Sequence, residues 1–281
     1  MPITAAPPAN PGAETTRPVP LRLPSTLTPS KISTFTSCPL AFRFSVLERL
    51  PEPPSLPAVR GTIVHRALEL LFLHGAEGER DRATAQAWLE EAFAELSQAG
   101  GDVAALELRA DERQELLGQA GRLLDHYYEI EDPNVVRPAG IELDIELEMD
   151  GLKLRGIIDR LDVLPGGGFA VVDYKTGRAP RPEQARSKLS GVYLYALLCE
   201  EVLGERPRAV RLLYLRDRVV ISAEASEMSL RGVRQRAAAV WKAIERACER
   251  VDFRPNPSGL CGWCSFQQYC PAFGGDPDAP R

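Results

Sequence analysis

The spacing of apolar residues changes twice along this chain, and the changes divide it into regions. From Thr28 to about Glu131 apolar positions recur at helical intervals. Thr28-Pro29-Ser30 reads as a helix start with proline in the first turn, and that helix is predicted to run through Phe35 and Phe42. The stretch from Pro51 to Pro57 reads as a connection. Arg60 to Leu73 is predicted to be a second helix, with Val64, Ala67, Leu68, Leu71 and Phe72 as its apolar stripe. Two further amphipathic helices are predicted over Thr84–Ala99 and Ala104–Glu131.

At Ala139 the period drops to two. Ile141, Leu143, Ile145 and Leu147 alternate with Glu142, Asp144, Glu146 and Glu148, the pattern of a half-buried strand. Asp150-Gly151 signals a hairpin into a second strand, Leu152–Leu164. Gly166-Gly167-Gly168 turns the chain into a third strand, Phe169–Lys175. A helix over Pro182–Leu203, strands over Ala209–Leu215 and Val219–Ala225, and a helix over Leu230–Val251 follow. This order predicts an α/β core with an added helical region in front and no second independent core. The expected organisation is a disordered proline-rich tail over residues 1–25 and one domain over 26–273. That domain divides into a helical part (28–132), a core (139–252) and a cysteine-rich end (255–273) joined by Cys38. A frayed tail over 274–281 completes the chain. No internal repeat is found.

Composition narrows the classes. With 281 residues, 44% hydrophobic and 26% charged, the chain can bury a sizeable core. No apolar run has the length of a membrane span, and no basic segment precedes an apolar one at the N-terminus, so a cytoplasmic protein without membrane contact is expected. The net charge of −5 argues against a protein that coats nucleic acid nonspecifically. It leaves room for a local basic groove beside a carboxylate-lined metal site.

Read with period two, the second strand puts Arg155, Ile157, Asp159, Leu161 and Val163 on one face, with Asp162 opposite and expected to be solvated. Asp159 thus falls among apolar residues, where a carboxylate needs a cation, a hydrogen-bond network or a raised pKa. On the third strand Asp173 and Lys175 share a face with Phe169 and Val171. Two strands joined by a glycine hairpin then each present a carboxylate, with a lysine beside the second, which suits a metal-dependent phosphodiesterase. Carboxylates would hold Mg²⁺ or Mn²⁺, and the lysine would orient water or neutralise developing charge. Asp173 and Lys175 taken alone read equally well as a buried ion pair at a strand end. His65, at the edge of its helix's apolar stripe, reads by itself as a packed helix histidine.

Six cysteines are present, and in a cytosolic chain structural disulfides are not expected. Cys199 and Cys248 sit in apolar helical patterns and read as buried small side chains. Cys261, Cys264 and Cys270 form a C-x2-C-x5-C run, and Cys38 stands in Ser37-Cys38-Pro39. Four thiolates can close a tetrahedral zinc site or hold a cubane cluster, and the spacing does not choose between them.

Gly156-Ile157-Ile158-Asp159-Arg160-Leu161-Asp162 and Val172-Asp173-Tyr174-Lys175-Thr176-Gly177 resemble motifs II and III of the RecB-type PD-(D/E)XK nucleases. Gly61-Thr62-Ile63-Val64-His65-Arg66-Ala67-Leu68-Glu69 resembles the family's motif I, and the resemblance spans residues 28 to 273. It implies a restriction-endonuclease-like core, a central mixed sheet flanked by helices. It also implies that His65, Asp159, Asp173 and the backbone carbonyl of Tyr174 ligate the metal while Lys175 assists the attacking water. An imidazole ligand makes Mn²⁺ more suitable than at an all-oxygen site. The family places a glutamine four residues before a tyrosine on the next helix. Here the tyrosine end matches Tyr195, which could contact DNA or the lysine, but the glutamine position is Gly191. Core packing is the other reading of Tyr195 and Tyr193. One cysteine before motif I and three after the core, each end followed by proline, is similar to the RecB-like nucleases with a 4Fe–4S cluster, such as AddB and the CRISPR-associated iron–sulfur nucleases. The resemblance implies such a cluster on Cys38, Cys261, Cys264 and Cys270, stapling the two ends of the fold, with structural zinc as the alternative.

Arg178, Arg181, Arg186 and Lys188 follow Lys175 directly and are candidates for phosphate contacts at the mouth of the site. Arg206, Arg208, Arg211, Arg216 and Arg218 form a second group that Glu200, Glu201 and Glu205 could balance as a solvated face. No helix-turn-helix reader and no G-x4-G-K-[ST] phosphate loop is found, so strand choice would rest on strandedness and ends, and unwinding on a helicase partner. The expected activity is a single-stranded DNA exonuclease of repair or recombination. The alternatives are a noncatalytic DNA-end-binding or scaffold subunit of a helicase–nuclease complex, and a zinc-stabilised hydrolase of a non-nucleic substrate.

Overall fold

Proline and capping side chains set the first helices. In the computed structural model, which describes residues 19–279, the Thr28 side chain accepts from the Lys31 N–H at 3.2 Å and starts α1 (Pro29–Ser37). The helix expected to run on through Phe42 breaks at Cys38, whose backbone is extended (φ −158°). Pro39 forces this, because proline disfavours a helical conformation in the residue before it. The short α2 (Pro39–Phe42) follows, continued by a wider turn over Arg43–Leu47. α3 (Leu56–His74) begins a turn before the expected Arg60, because Ser55 caps it and Pro57 sits in the first turn, where a missing N–H costs nothing. α4 (Arg82–Leu96) is capped by Asp81. The helix expected from Ala104 forms only as α5 (Ala110–Ile130), since Glu107 adopts a left-handed conformation (φ 51°) after one tight turn.

The sheet contains β1 (Pro138–Met149), β2 (Leu152–Val163) and β3 (Phe169–Lys175). After α6 (Pro182–Lys188) and α7 (Ser190–Leu198) come β4 (Ala209–Tyr214), β5 (Val219–Glu224) and α8 (Glu227–Arg250). The helix expected over Pro182–Leu203 is therefore interrupted at Leu189. Spatial order follows sequence order. Only β3 and β4 pair in parallel, and a parallel pair requires a crossover, which α6 and α7 supply. Asp150 and Gly151 both have positive φ (51° and 75°), the conformation a two-residue hairpin needs.

Both sheet faces are covered. One packs on α1, α2, α7 and α8 through residues such as Phe42, Ile158, Val171 and Leu197. The other packs on α3, α4 and α5 through Ile63, Leu68, Leu124, Val172 and Tyr174. This is the mixed sheet flanked by helices that the sequence predicts. Most of the expected N-terminal tail, residues 1–18, and the last two residues of the expected C-terminal one lie outside the described residues. The described parts of both are anchored. Leu21 N–H donates to the Cys248 carbonyl at 3.1 Å, and Leu27, fully buried, exchanges backbone hydrogen bonds with Lys153 and Arg155. At the other end Asp278 pairs with Arg43 at 2.7 Å. Cys199 and Cys248 are buried as expected, and burial pushes their thiols up to about 12 and about 11. Among the described residues no helix is long and apolar enough to cross a membrane.

Candidate active site

The strand faces do not follow a simple alternation, and the departure builds the site. Ile141 and Arg160, paired across β1 and β2, face the layer of α3 and α5. The next pair, Leu143 and Ile158, faces the opposite layer. Between them Glu142 takes a left-handed conformation (φ 44°), costly for a residue with a Cβ and typical of kinks that re-aim side chains at functional sites. The kink turns Glu142 and Asp159 together into a cleft against α3. The cleft, about 550 Å³, is lined by Thr62, His65, Arg66, Glu142, Asp159 and Thr176 among others. Gly61 lets α3 approach there, since a Cβ at that position would stand 3.1 Å from the Thr176 hydroxyl.

Two expectations are corrected by this geometry. The face carrying Asp159 is not a uniformly apolar one: Ile157 and Val163 are 44% and 42% exposed, and Asp159 borders open space. Asp162 is not solvated but 5% exposed, because Arg160 reaches over from the same strand and pairs with it at 2.7 and 3.0 Å.

Within the cleft His65 Nδ1 lies 3.4 Å from Asp159 Oδ2, and that oxygen accepts the Tyr174 N–H at 2.7 Å. One donor atom each from His65, Glu142 and Asp159 lies within 4.8 Å of the others. Asp173, 6% exposed, is paired with Lys175. Of the residues singled out by sequence, His65, Asp159, Tyr174, Asp173 and Lys175 therefore gather where β2 and the end of β3 part. Glu142 was missed, because alternation assigned it to the same polar face as Asp144, Glu146 and Glu148.

The electrostatics record crowding of negative charge. Burial, followed by the charges of Asp159 and Glu69, pushes the Glu142 carboxyl up to about 7. Burial also raises Asp173, with Lys175 opposing it. Burial disfavours charge on His65, but the hydrogen bond and charge of Asp159 outweigh it, and its pKa is raised. Two carboxylates and an imidazole converging on one space fit a divalent cation that accepts oxygen and nitrogen ligands.

Away from the cleft residues, Cys38, Cys261, Cys264 and Cys270 line one cavity of about 180 Å³. Burial raises the Cys264 thiol, and the other three cysteines add to the shift. Around a single tetrahedral zinc, with Zn–S near ~2.3 Å, sulfurs stand roughly 3.8 Å apart. Among the described residues the cysteines form no group of three donor atoms as tight as the 4.8 Å cluster of His65, Glu142 and Asp159.

Residues 26–271 match the PD-(D/E)XK nuclease superfamily. The chain belongs to that superfamily. The Gene 69 protein of Mycobacterium phage L5 is 24% identical over 286 residues, covering 87% of this chain and 95% of the phage protein. A solved structure of a candidate exonuclease from Eubacterium rectale is 11% identical and superposes with a TM-score of 0.45, covering 85% of this chain and 86% of the other.

In this PD-(D/E)XK chain the helix after β3 is drawn close to the site. Tyr195 packs against β2 at Gly156, where a Cβ would come within 2.7 Å of its ring. Burial, then the charges of Asp173, Asp159 and Glu142, push the Tyr195 hydroxyl above its ordinary range. Core packing and proximity to the carboxylates thus hold together for this residue. Gly191, one turn earlier, faces Pro29 of α1. Arg178, Arg181, Arg186 and Lys188 are all exposed. In the second arginine group, Arg206 pairs with Glu200 at 2.6 Å, Arg218 pairs with Glu129 at 3.2 Å and Arg208 caps the glycine turn at Gly166. These three serve the fold's own contacts.

Proposed function

We propose that this nuclease is a divalent-metal-dependent exonuclease that hydrolyses single-stranded DNA in repair or recombination. The observation that carries the reading is the convergence of His65, Glu142 and Asp159 within 4.8 Å beside the Asp173–Lys175 pair. His65, Glu142, Asp159, Asp173 and the carbonyl of Tyr174 would hold Mg²⁺ or Mn²⁺. Such an ion, when bound, neutralises phosphate charge and acidifies water. The chain's own groups do the rest. Lys175 holds Asp173 ionised and offers a proton donor at Nζ toward the scissile phosphate. Tyr174 N–H fixes the Asp159 carboxylate, and Arg178 and Arg181, both exposed, would meet the phosphates of the incoming strand.

The pH dependence of ion binding tests the donor set. A ligand must lose its proton, so an ion competes with protons on Glu142 and His65. Burial lifts the Glu142 carboxyl to about 7 and Asp159 raises His65, so affinity rises with pH as both lose their protons. Titration calorimetry with Mn²⁺ is expected to show binding about tenfold weaker at about pH 6 than at about pH 8. Glu142→Gln should lower the affinity and flatten the slope. An unchanged slope would remove Glu142 from the site.

We also propose that the four cysteines hold a 4Fe–4S cluster. Their gathering around one cavity supports a shared metal group, and the likeness of their spacing to that of the iron–sulfur nucleases favours the cluster. The cluster would tie α1–α2 to the C-terminal segment, and binding energy of this kind is folding energy. Cys264→Ala is expected to abolish broad visible absorption in anaerobically purified protein and to lower Tm by roughly 10 °C, using about 2–4 °C per kcal/mol for a chain of this size. Colourless wild-type protein containing zinc would sink the cluster.

A second reading, a noncatalytic DNA-end-binding subunit working with a helicase, draws on Gly191 at the glutamine position. End-labelled single-stranded DNA with Mn²⁺ or Mg²⁺ separates the two: binding without cutting would favour it.

A further inference from the structure

A second groove runs between α1, α7 and α8. It measures about 320 Å³ and is bordered by Gly191, Lys188 and Arg236, with Ser33 and Thr36 of α1 opposite. Beyond Arg236 it continues into a depression lined by Arg186 and Tyr193 at the start of α8. No carboxylate lines either part, although the chain carries 39 acidic residues against 34 basic ones. Arg186, Lys188 and Arg236 are exposed, and none forms an ion pair among the described residues. Unpaired cations beside hydroxyls and a half-buried tyrosine, with no competing acid, suit a phosphodiester chain whose bases can stack.

α7 links the groove to the metal site. Gly191 and Tyr195 are four residues apart, so they share a helix face at about 5–6 Å between Cβ positions. Tyr195 lies against β2 at Gly156, three residues before Asp159. A Cβ at Gly191 would meet only Pro29, at 3.7 Å. A longer side chain there would project into the groove and fill it.

We propose that this groove carries a single-stranded nucleic acid by its backbone to or from the metal site, and that Gly191 keeps it open. The proposal rests on the nuclease reading and says where the strand lies. The arginines and lysine act as phosphate contacts without base preference.

The test is fluorescence anisotropy of the full chain with a strand of about 20 nucleotides, long enough to span more than one subsite. Deoxyribose and ribose strands and a blunt duplex of equal length are compared, in Ca²⁺, over a salt series. Lys188→Ala and Arg236→Ala are each expected to weaken single-strand binding about three- to tenfold and to reduce the salt slope by about 0.7. Gly191→Gln should weaken it as well, without changing charge. Loss for both sugar types supports backbone recognition. Wild-type affinity and slope in all three variants, in a protein that still cuts DNA with Mn²⁺, would overturn the groove and leave the nuclease standing. Equal binding of the duplex with the same sensitivity to the variants would overturn the single-strand assignment. A wild-type protein that neither binds nor cuts would overturn both.

Discussion

Asp159→Asn and Lys175→Met are each expected to slow cleavage of single-stranded DNA by a factor of about 10³ or more, with the fold retained. The reasons differ. Asparagine keeps an acceptor for the Tyr174 N–H, which the carboxylate now takes at 2.7 Å, but removes the charge that an ion and His65 both face. Ion affinity should fall with the rate. Lys175→Met leaves ion ligands in place but strips Asp173, 6% exposed, of its counter-charge. Burial already raises Asp173, so without the ammonium it would hold its proton to higher pH. Rate loss in Lys175→Met should therefore be partly recovered as pH rises, while in Asp159→Asn it should not. Lys175→Arg restores charge but not a compact donor, and should recover little. Measurement of kcat/KM over a pH series, with Tm recorded on the same samples, decides this. A rate within tenfold of wild type for Asp159→Asn would remove that residue from the chemistry.

The parts of the site set by local pattern were readable in the sequence. Period two on β2 and β3, with the glycine turn between them, puts Asp159 near Asp173 without any knowledge of the tertiary fold. Thr28 and Pro29 likewise mark the start of α1. What escaped depends on departures from pattern or on distant partners. Glu142 looks like one more polar residue on an alternating strand, and no glycine or asparagine marks its left-handed conformation. Only pairing with β2 reveals that it stands with Asp159. Asp162 looks solvated because its neighbours in sequence do not show what covers it. The cover is the Arg160 guanidinium, which is held over Asp162 by partners distant in sequence, Tyr127 of α5 and Phe72 of α3. Gly156 is legible as part of a motif, but its physical reason, room for the Tyr195 ring, is a tertiary contact.

That cover underlies the second large effect. Arg160 has no exposed surface, yet its guanidinium is fully engaged. It pairs with Glu131 at 2.6 Å and Asp162 at 2.7 Å, donates to the hydroxyls of Tyr127 and Tyr174 at 3.1 and 2.8 Å, and stands 4.7 Å above the Phe72 ring. Arg160→Ala would leave Asp162 buried without its cation, and removing one member of a buried ionic network costs about 3–5 kcal/mol. At roughly 2–4 °C per kcal/mol, Tm should fall by about 6–20 °C. The pH response separates a charge effect from simple loss of packing. Burial already raises Asp162 in spite of Arg160, and without the guanidinium its pKa would rise further. A carboxyl whose folded pKa exceeds its unfolded one destabilises the fold once it ionises, and that cost is relieved as pH falls through the folded value. The stability gap between Arg160→Ala and wild type should therefore narrow on acidification. A gap independent of pH would mean that only the cavity matters. The ring of Tyr174 also stands edge-on to His65 at 5.8 Å, while its N–H holds Asp159. Arg160 thus braces the residue on which two candidate ligands rest, and the variant should lose Mn²⁺ affinity even at temperatures where it remains folded.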